Sequence, residues 1–178
     1  MSALGWWALL VSVLGATGLV GLTAFRYGLL PALFGGAPYM PTNAALVQIM
    51  LDLAHIQAAD RVVDLGSGDG RLVIAAARKG AQEAVGYEID VWNVWKARRW
   101  ARHLGLRNAQ FVHASFWKIS LSEFNVVFVY GLPPYMARLA EKCRAELAPG
   151  TRIVSLLYDL PGWEPTVVQE GIRLYTVR

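Results

Sequence analysis

From Met1 to Phe25 the chain carries no charged side chain, and "ALGWWALLVSVLGATGLVGLTAF" is apolar on every side of a helix rather than along one stripe. At about 1.5 Å per residue, a helix of this length crosses a hydrocarbon core of about 30 Å. Trp6 and Trp7 suit a headgroup-level anchor at one end, and Arg26, just past the other, suits the cytoplasmic side. The segment reads as a retained, single transmembrane helix. A cleaved signal peptide would open on a basic region, and a mitochondrial presequence would be Arg-rich and amphipathic. A buried core helix would need more partner surface than the rest of the chain offers.

Beyond it the pattern changes. Prolines and paired glycines in "RYGLLPALFGGAPYMPTN" mark a linker. "TNAALVQIMLDLAHI" then spaces apolar residues as a helix does, with Thr42 or Asn43 placed to cap its first turn. Short apolar runs alternate with amphipathic ones from there on. "RVVDL", "EAVGYEI", "AQFVHA", "NVVFVYG" and "RIVSLLY" read as strands, while "GRLVIAAARK", "VWNVWKARRWARHLG" and "PYMARLAEKCRAELAPG" read as helices. "PTVVQ" and "IRLYTV" flank Glu170-Gly171 as a closing hairpin. The expected architecture is α/β: a mostly parallel seven-stranded sheet with helices on both faces, preceded by one transmembrane helix. Residues 1–26 form the anchor, 27–41 a linker and pre-domain segment, and 42–178 the domain.

Composition adds little. The mean hydropathy of +0.35 is raised by the front segment. All 13 acidic and 16 of the 17 basic residues lie beyond Arg26, which leaves the domain a surplus of three positive charges. That surplus suits anionic headgroups, nucleic acid or nothing in particular. Cys143, the single cysteine, excludes an internal disulfide and a cysteine metal cluster; its place on an apolar helix face makes it a core residue. His55, His103 and His113 have no metal-ligand spacing, so no metal is expected.

The chemistry concentrates in "DLGSGDG", residues 64–70, at the end of the first strand. Gly66, Gly68 and Gly70 allow a tight turn with backbone close to a ligand, and Glu88, ending the next strand, is placed for the hydroxyls of a ribose. Dinucleotide-binding turns share both features. Asp64 separates the readings, because a carboxylate there repels a pyrophosphate seated on the helix N-terminus and attracts a cation. S-adenosylmethionine carries an ammonium and a sulfonium beside a ribose, which matches one acidic group at each end of the pocket. A nicotinamide or flavin, or an unliganded turn, are the alternatives. Asp69, inside the turn, is expected to cap the following helix rather than to touch substrate.

"DLGSGDGR", "VGYEID" and the order of elements resemble a class I (Rossmann-like) S-adenosylmethionine-dependent methyltransferase. With an apolar helix in front, "YMPTN" ahead of the domain and "VYGLPPYM" after the fourth strand, the chain is similar to the membrane-anchored lysine methyltransferases, including those acting on the adenine nucleotide translocase and the c subunit of ATP synthase. The resemblance implies that Asp64, Gly66, Gly68 and Gly70 hold the methionine end of the cofactor and Glu88 its ribose. It implies that Tyr39, Pro41 and Thr42 close the active site. Such enzymes often place an acidic residue after the third strand for the adenine amine; "HASFW" offers Ser115 there, leaving adenine to that hydroxyl, to backbone groups, or to stacking on Phe116 or Trp117.

A lysine amine, with an ordinary pKa of about 10.4, must lose its proton before it attacks a methyl group. Burial in an apolar, aromatic mouth favours that loss without a dedicated base. Tyr39, Tyr130, Pro133, Pro134 and Tyr135 are candidates to line it, with Tyr39, Thr42, Tyr130 and Pro133 the expected catalytic residues. Asp159 is the one candidate base, and a weak one. "LPPY", residues 132–135, invites comparison with the Asn/Asp-Pro-Pro-Tyr motif of enzymes that methylate planar amines, but Leu132 has no acceptor for such an amine. The favoured partner is a protein substrate presenting a lysine side chain, membrane-embedded or membrane-proximal, with nucleic acid disfavoured. A small amine substrate, or a catalytically inactive assembly role, are the alternatives. The expected location is a single-pass membrane protein with its domain on the cytoplasmic side, or the matrix side in a mitochondrion.

One motif is left over. "VWNVWKARRWARHLGLR" puts Trp92, Trp95, Arg99 and Arg102 on one helical stripe, opposite Val94, Ala97, Ala101 and Leu104. A solvated face, contact with anionic headgroups, and RNA are its three readings.

Overall fold

The computed structural model describes residues 2–24 and 40–178, in two units that divide between Tyr39 and Met40. In the first unit, α1 spans Ala3–Ala24. Apolar side chains from Trp6 to Leu22 are exposed, and Gly5–Thr23 is long and apolar enough to cross a membrane. The hydroxyls of Ser12, Thr17 and Thr23 donate to carbonyls four residues back, at 2.9, 2.7 and 2.6 Å. The helix therefore satisfies these side-chain donors itself. Arg26 lies outside the described residues.

The second unit begins with α2 (Ala44–Ala54), whose first turn is capped by Asn43, the carboxamide oxygen accepting from Leu46 N at 2.9 Å. Strands and helices then alternate: β1 (Arg61–Leu65), α3 (Arg71–Arg78), β2 (Glu83–Glu88), α4 (Val91–His103), β3 (Ala109–His113), β4 (Val126–Val129), α5 (Pro133–Glu146), β5 (Arg152–Leu156), β6 (Val167–Gln169) and β7 (Ile172–Thr176). The sheet order is β3-β2-β1-β4-β5-β7-β6. β1 to β5 run parallel and β7 is antiparallel to both β5 and β6. Glu170 and Gly171, at φ of 50° and 75°, make the tight turn that the hairpin pattern predicts.

Both faces of the sheet are covered, which is why its central strands read as unbroken apolar runs instead of alternating ones. Val62, Phe128 and Val154 pack on one face with α2, α3 and α4. Val63, Val127, Val129 and Ile153 pack on the other with Met136, Leu139 and Cys143 of α5. Cys143 is fully buried, as expected of a core residue, and burial pushes its thiol up to about 12. At the amino end of the sheet, Arg152 donates to the carbonyls of Ala54 and His55, both at 2.6 Å, and pairs with Asp60 at 2.6 Å. These bonds satisfy the carbonyls that end α2 and fix the helix across the sheet.

One expectation about α4 needs correction. Leu104 is exposed, and the buried positions are Asn93, Val94, Ala97 and Ala101. Leu104 follows the last helical turn, where the periodicity that would bury it no longer applies.

Strand order reverses between β1 and its neighbour β4. A crevice opens at the carboxyl ends of strands at such a point, and it is here, at Leu65 and Val129, that the two motif-bearing loops leave the sheet.

Candidate active site

The turn after β1 is held by its own backbone. Gly66 N and Ser67 N donate to Tyr87 O at 2.9 and 3.0 Å, Gly70 N donates to Ser67 O at 2.9 Å, and Gly68 N donates to the Glu88 carboxylate at 2.8 Å. Gly66, Gly68 and Gly70 have φ of 92°, 53° and 83°, values that side-chain-bearing residues rarely adopt. Gly70 is further constrained, since a Cβ there would lie 2.4 Å from the Phe111 ring. Beside Gly66 the space is open.

This wiring decides what the turn can hold. A phosphate-binding turn offers free N–H groups to its ligand, whereas here the amides of Gly66, Ser67, Gly68 and Gly70 are already spent inside the protein. Asp64 shows the opposite condition. It is buried, and among the described residues its carboxylate accepts no hydrogen bond. Burial, with Glu88 and then Asp69 nearby, raises its pKa to about 8. A buried carboxylate that no protein donor engages among the described residues, beside a turn whose Gly66, Ser67, Gly68 and Gly70 amides are already bonded, suits a cationic ligand better than an anionic one.

Glu88 accepts from three backbone amides: Gly68 on one oxygen, Ile89 and Asp90 on the other, each at 2.8 Å. A carboxylate has about four lone-pair sites, so roughly one remains for a sugar hydroxyl. Ala114 N donates to Glu88 O at 3.1 Å, which brings the end of β3 alongside. There Ser115, Phe116 and Trp117 are all half-buried. The Phe116 and Trp117 rings lie 4.7 Å apart, and the Arg138 guanidinium sits 4.2 Å over the Trp117 ring. With Arg138 on Trp117, Phe116 is the freer stacking surface.

Asp69 behaves only partly as a helix cap. Its Oδ1 accepts from Arg71 N at 3.3 Å, but the shorter bonds run to the Arg71 guanidinium, at 2.9 and 2.6 Å. The remaining guanidinium nitrogen donates to Thr42 O. Arg71 thus joins the glycine turn to the pre-domain segment, a role that motif reading does not reach. A cation in the first turn of a helix opposes the helix dipole and calls for an anionic partner, which was the available clue.

The same segment meets β4. Tyr130 OH donates to Met40 Sδ at 3.9 Å, and burial, with Tyr158 beside it, raises the Tyr130 pKa. Tyr130, Gly131 and Leu132 are half-buried, and Pro133 and Pro134 occupy the first turn of α5, where a missing N–H costs nothing. Tyr135 contacts Trp117 at 6.5 Å. Met40 and Thr42 are therefore brought to the carboxyl edge of the sheet beside Tyr130 and the glycine turn; Tyr39 lies outside the described residues. Asp159 does not join them, being ion-paired with Arg173. Among the described residues no cluster of metal-ligating side chains occurs.

A model of the ANTKMT methyltransferase domain matches residues 64–167. The Xenopus laevis lysine N-methyltransferase of the ATP synthase c subunit is 37% identical over 137 residues, covering 76% of this chain and 60% of its own length. A protein-lysine N-methyltransferase of Saccharolobus islandicus is 37% identical over 145 residues, 79% of this chain and 90% of its own. The chain thus spans about 60% of the length of the first of these relatives. Among solved structures, an RNA methyltransferase from Salinibacter ruber in complex with S-adenosyl-L-homocysteine superposes with a TM-score of 0.71 at 39% identity, covering 78% of this chain and 92% of that one.

Proposed function

Since the chain belongs to the ANTKMT methyltransferase domain family, we propose that it transfers methyl groups from S-adenosylmethionine to the side-chain amine of a protein lysine. The observation that carries this reading is the buried Asp64 carboxylate, which no described residue bonds, beside a turn whose Gly66, Ser67, Gly68 and Gly70 amides are already engaged. Asp64 would face the cationic methionine end, the open space at Gly66 would admit it, Glu88 would take a ribose hydroxyl, and Ser115 with Phe116 would bound the adenine. Bound there, the cofactor would supply a methyl group already activated on sulfur.

The remaining work falls to this chain's own residues. A lysine amine entering between Met40, Tyr130, Pro133 and Tyr135 leaves water for an apolar, aromatic surrounding, which favours its neutral form. The Tyr130 phenol, its pKa raised, stays protonated at neutral pH and offers a polar contact without adding charge. With Asp159 tied to Arg173, deprotonation by desolvation is the route the site supports. Thr42 is held through its backbone carbonyl by Arg71, so Met40 and Thr42 act as a wall of the throat rather than as a proton carrier.

The helix α1 is the membrane anchor in this reading, with the domain on the cytoplasmic or matrix side and a membrane-embedded or membrane-proximal protein as substrate. Confinement to a bilayer raises the effective concentration of such targets.

A second reading is RNA methylation, favoured by the name of the Salinibacter neighbour. Leu132 weighs against it, because a planar base amine needs an acceptor at that position and Leu132 supplies none. Incubating the full chain with labelled methyl donor and membrane extract separates the readings. Label in a protein band, located on lysine by mass spectrometry and absent with Asp64→Ala, is the expected result. Label in RNA or in the small-molecule fraction alone overturns it.

A further inference from the structure

α4 presents an outer face that the proposed chemistry does not use. Trp92, Trp95 and Trp100 are 56%, 51% and 42% exposed, although a buried position on the same helix, Asn93, goes to a polar residue. Trp92 and Trp95 pack edge to face at 6.3 Å, and the Arg99 guanidinium lies 5.8 Å from the Trp95 ring. Large indole rings held at a surface by one another and by a cation are costly to leave in water unless something covers them.

The charge on this face is one-sided. Lys96, Arg98, Arg99 and Arg102 equal in number the whole chain's formal excess of +4, and no acidic residue occurs between Asp90 and Glu123. Arg98 is spent on Phe111 O, at 2.7 and 2.9 Å. Lys96, Arg99 and Arg102 point outward and, among the described residues, form no ion pair. A helix with cations and tryptophans on one face and small buried residues on the other has the make-up of an interfacial helix, indoles at headgroup depth and cations on anionic lipid.

We propose that this face of α4 docks on an anionic lipid surface, laying the domain against a bilayer. The occupant follows from charge complementarity: the exposed cations Lys96, Arg99 and Arg102 lie beside exposed indoles, with no acidic residue between Asp90 and Glu123, which matches an anionic headgroup layer. The inference concerns a different surface from the methyl-transfer site and stands on the make-up of the α4 face.

The test uses the full chain in nanodiscs of phosphatidylcholine, with and without phosphatidylglycerol. A nitroxide is placed at His103→Cys, a position that leaves every tryptophan, lysine and arginine of the face intact; buried Cys143 stays unlabelled. In anionic discs the label gains access to oxygen and loses access to a water-soluble nickel chelate, while in neutral discs it stays aqueous. A label at exposed Ser122→Cys stays aqueous in both. Adding Arg99→Gln and Arg102→Gln lowers the docking equilibrium constant about 5-fold per charge, from roughly 1 kcal/mol for each cation near such a surface.

An aqueous His103→Cys label in anionic discs overturns the proposal. So does protection of that label by single-stranded RNA while anionic discs leave it exposed, which would make α4 an RNA-binding face. A separate label at Leu14→Cys reports on the anchor alone. If that label is aqueous the anchor reading fails, and co-flotation of the same protein with anionic vesicles then reads the α4 face by itself, binding supporting it and no binding overturning it.

Discussion

Arg71 donates to the carbonyl oxygen of Thr42 while two of its other nitrogens hold Asp69, so one side chain couples the segment ahead of the domain to the turn that follows β1. In the proposed reading the first belongs to the substrate wall and the second to the turn that receives the cofactor. Their relative position is set by a planar, five-donor fork that no other residue type reproduces.

Removing the fork should therefore harm turnover more than cofactor affinity. Arg71→Ala is expected to lower kcat/KM by roughly 10- to 100-fold, the scale of a small misplacement of bound reactants. Arg71→Lys should restore little, because an ammonium cannot span both partners. Single-turnover methyl transfer beside calorimetric cofactor binding separates the two effects. Equal losses in both would assign Arg71 to cofactor binding instead.

Asp64 makes the ligand-free domain sensitive to pH. Its folded pKa is raised to about 8 from an ordinary 3.8, so between those values the folded state keeps a proton that the unfolded chain has released. Stability then falls as pH rises through that window, by at most about 1.4 kcal/mol per unit, and levels off above it. Asp64→Asn removes the contribution and should raise the melting temperature of the ligand-free protein at pH 8 by a few degrees or more. Thermal scans from pH 5 to pH 9 give the comparison; parallel curves for the two proteins would show that Asp64 titrates normally.

The same group predicts the opposite trend for binding. Facing a sulfonium or ammonium requires the carboxylate, so affinity for S-adenosylmethionine should rise with pH up to about 8 and each binding event should release a proton. Calorimetry in buffers of different ionisation enthalpy measures that proton directly. Asp64→Asn should abolish the release and weaken binding about 10- to 150-fold, the range for losing a charge-assisted contact.

Much of the fold, and the turn at residues 64–70, is legible in the sequence. β1 to β5, the hairpin at Glu170-Gly171 and the burial of Cys143 follow from apolar runs and turn residues, because short parallel strands covered on both faces leave no polar alternation to blur their limits. The turn at 64–70 is legible because glycine spacing is local. Arg71 is not, since its partner Thr42 is 29 residues away and the contact is to a backbone oxygen, which leaves no trace in side-chain identity. Asn43, rather than Thr42, caps α2, because the helix starts at Ala44 and asparagine outranks threonine at the position just before it. The three amides on Glu88 are equally hidden, because donors from the backbone carry no sequence signature.

Gly66 and Gly70 share a positive φ but should respond differently to alanine. At Gly70 the added methyl meets both backbone strain and the Phe111 ring at 2.4 Å, with Ala97 Cβ at 2.7 Å. Strain of about 1–3 kcal/mol and overpacking of about 1–3 kcal/mol then combine. At Gly66 the methyl enters open space, so only the strain remains. Gly66→Ala should therefore fold with a modest loss in denaturant midpoint and a larger loss in cofactor affinity, since the methyl occupies the volume that the ligand needs. Gly70→Ala should lose far more stability, and shortening the ring in Gly70→Ala/Phe111→Val should return part of it, a non-additive result that ties the damage to this contact. Equal midpoints for the two single variants would show that the Phe111 ring yields freely and that the turn tolerates side chains on that side.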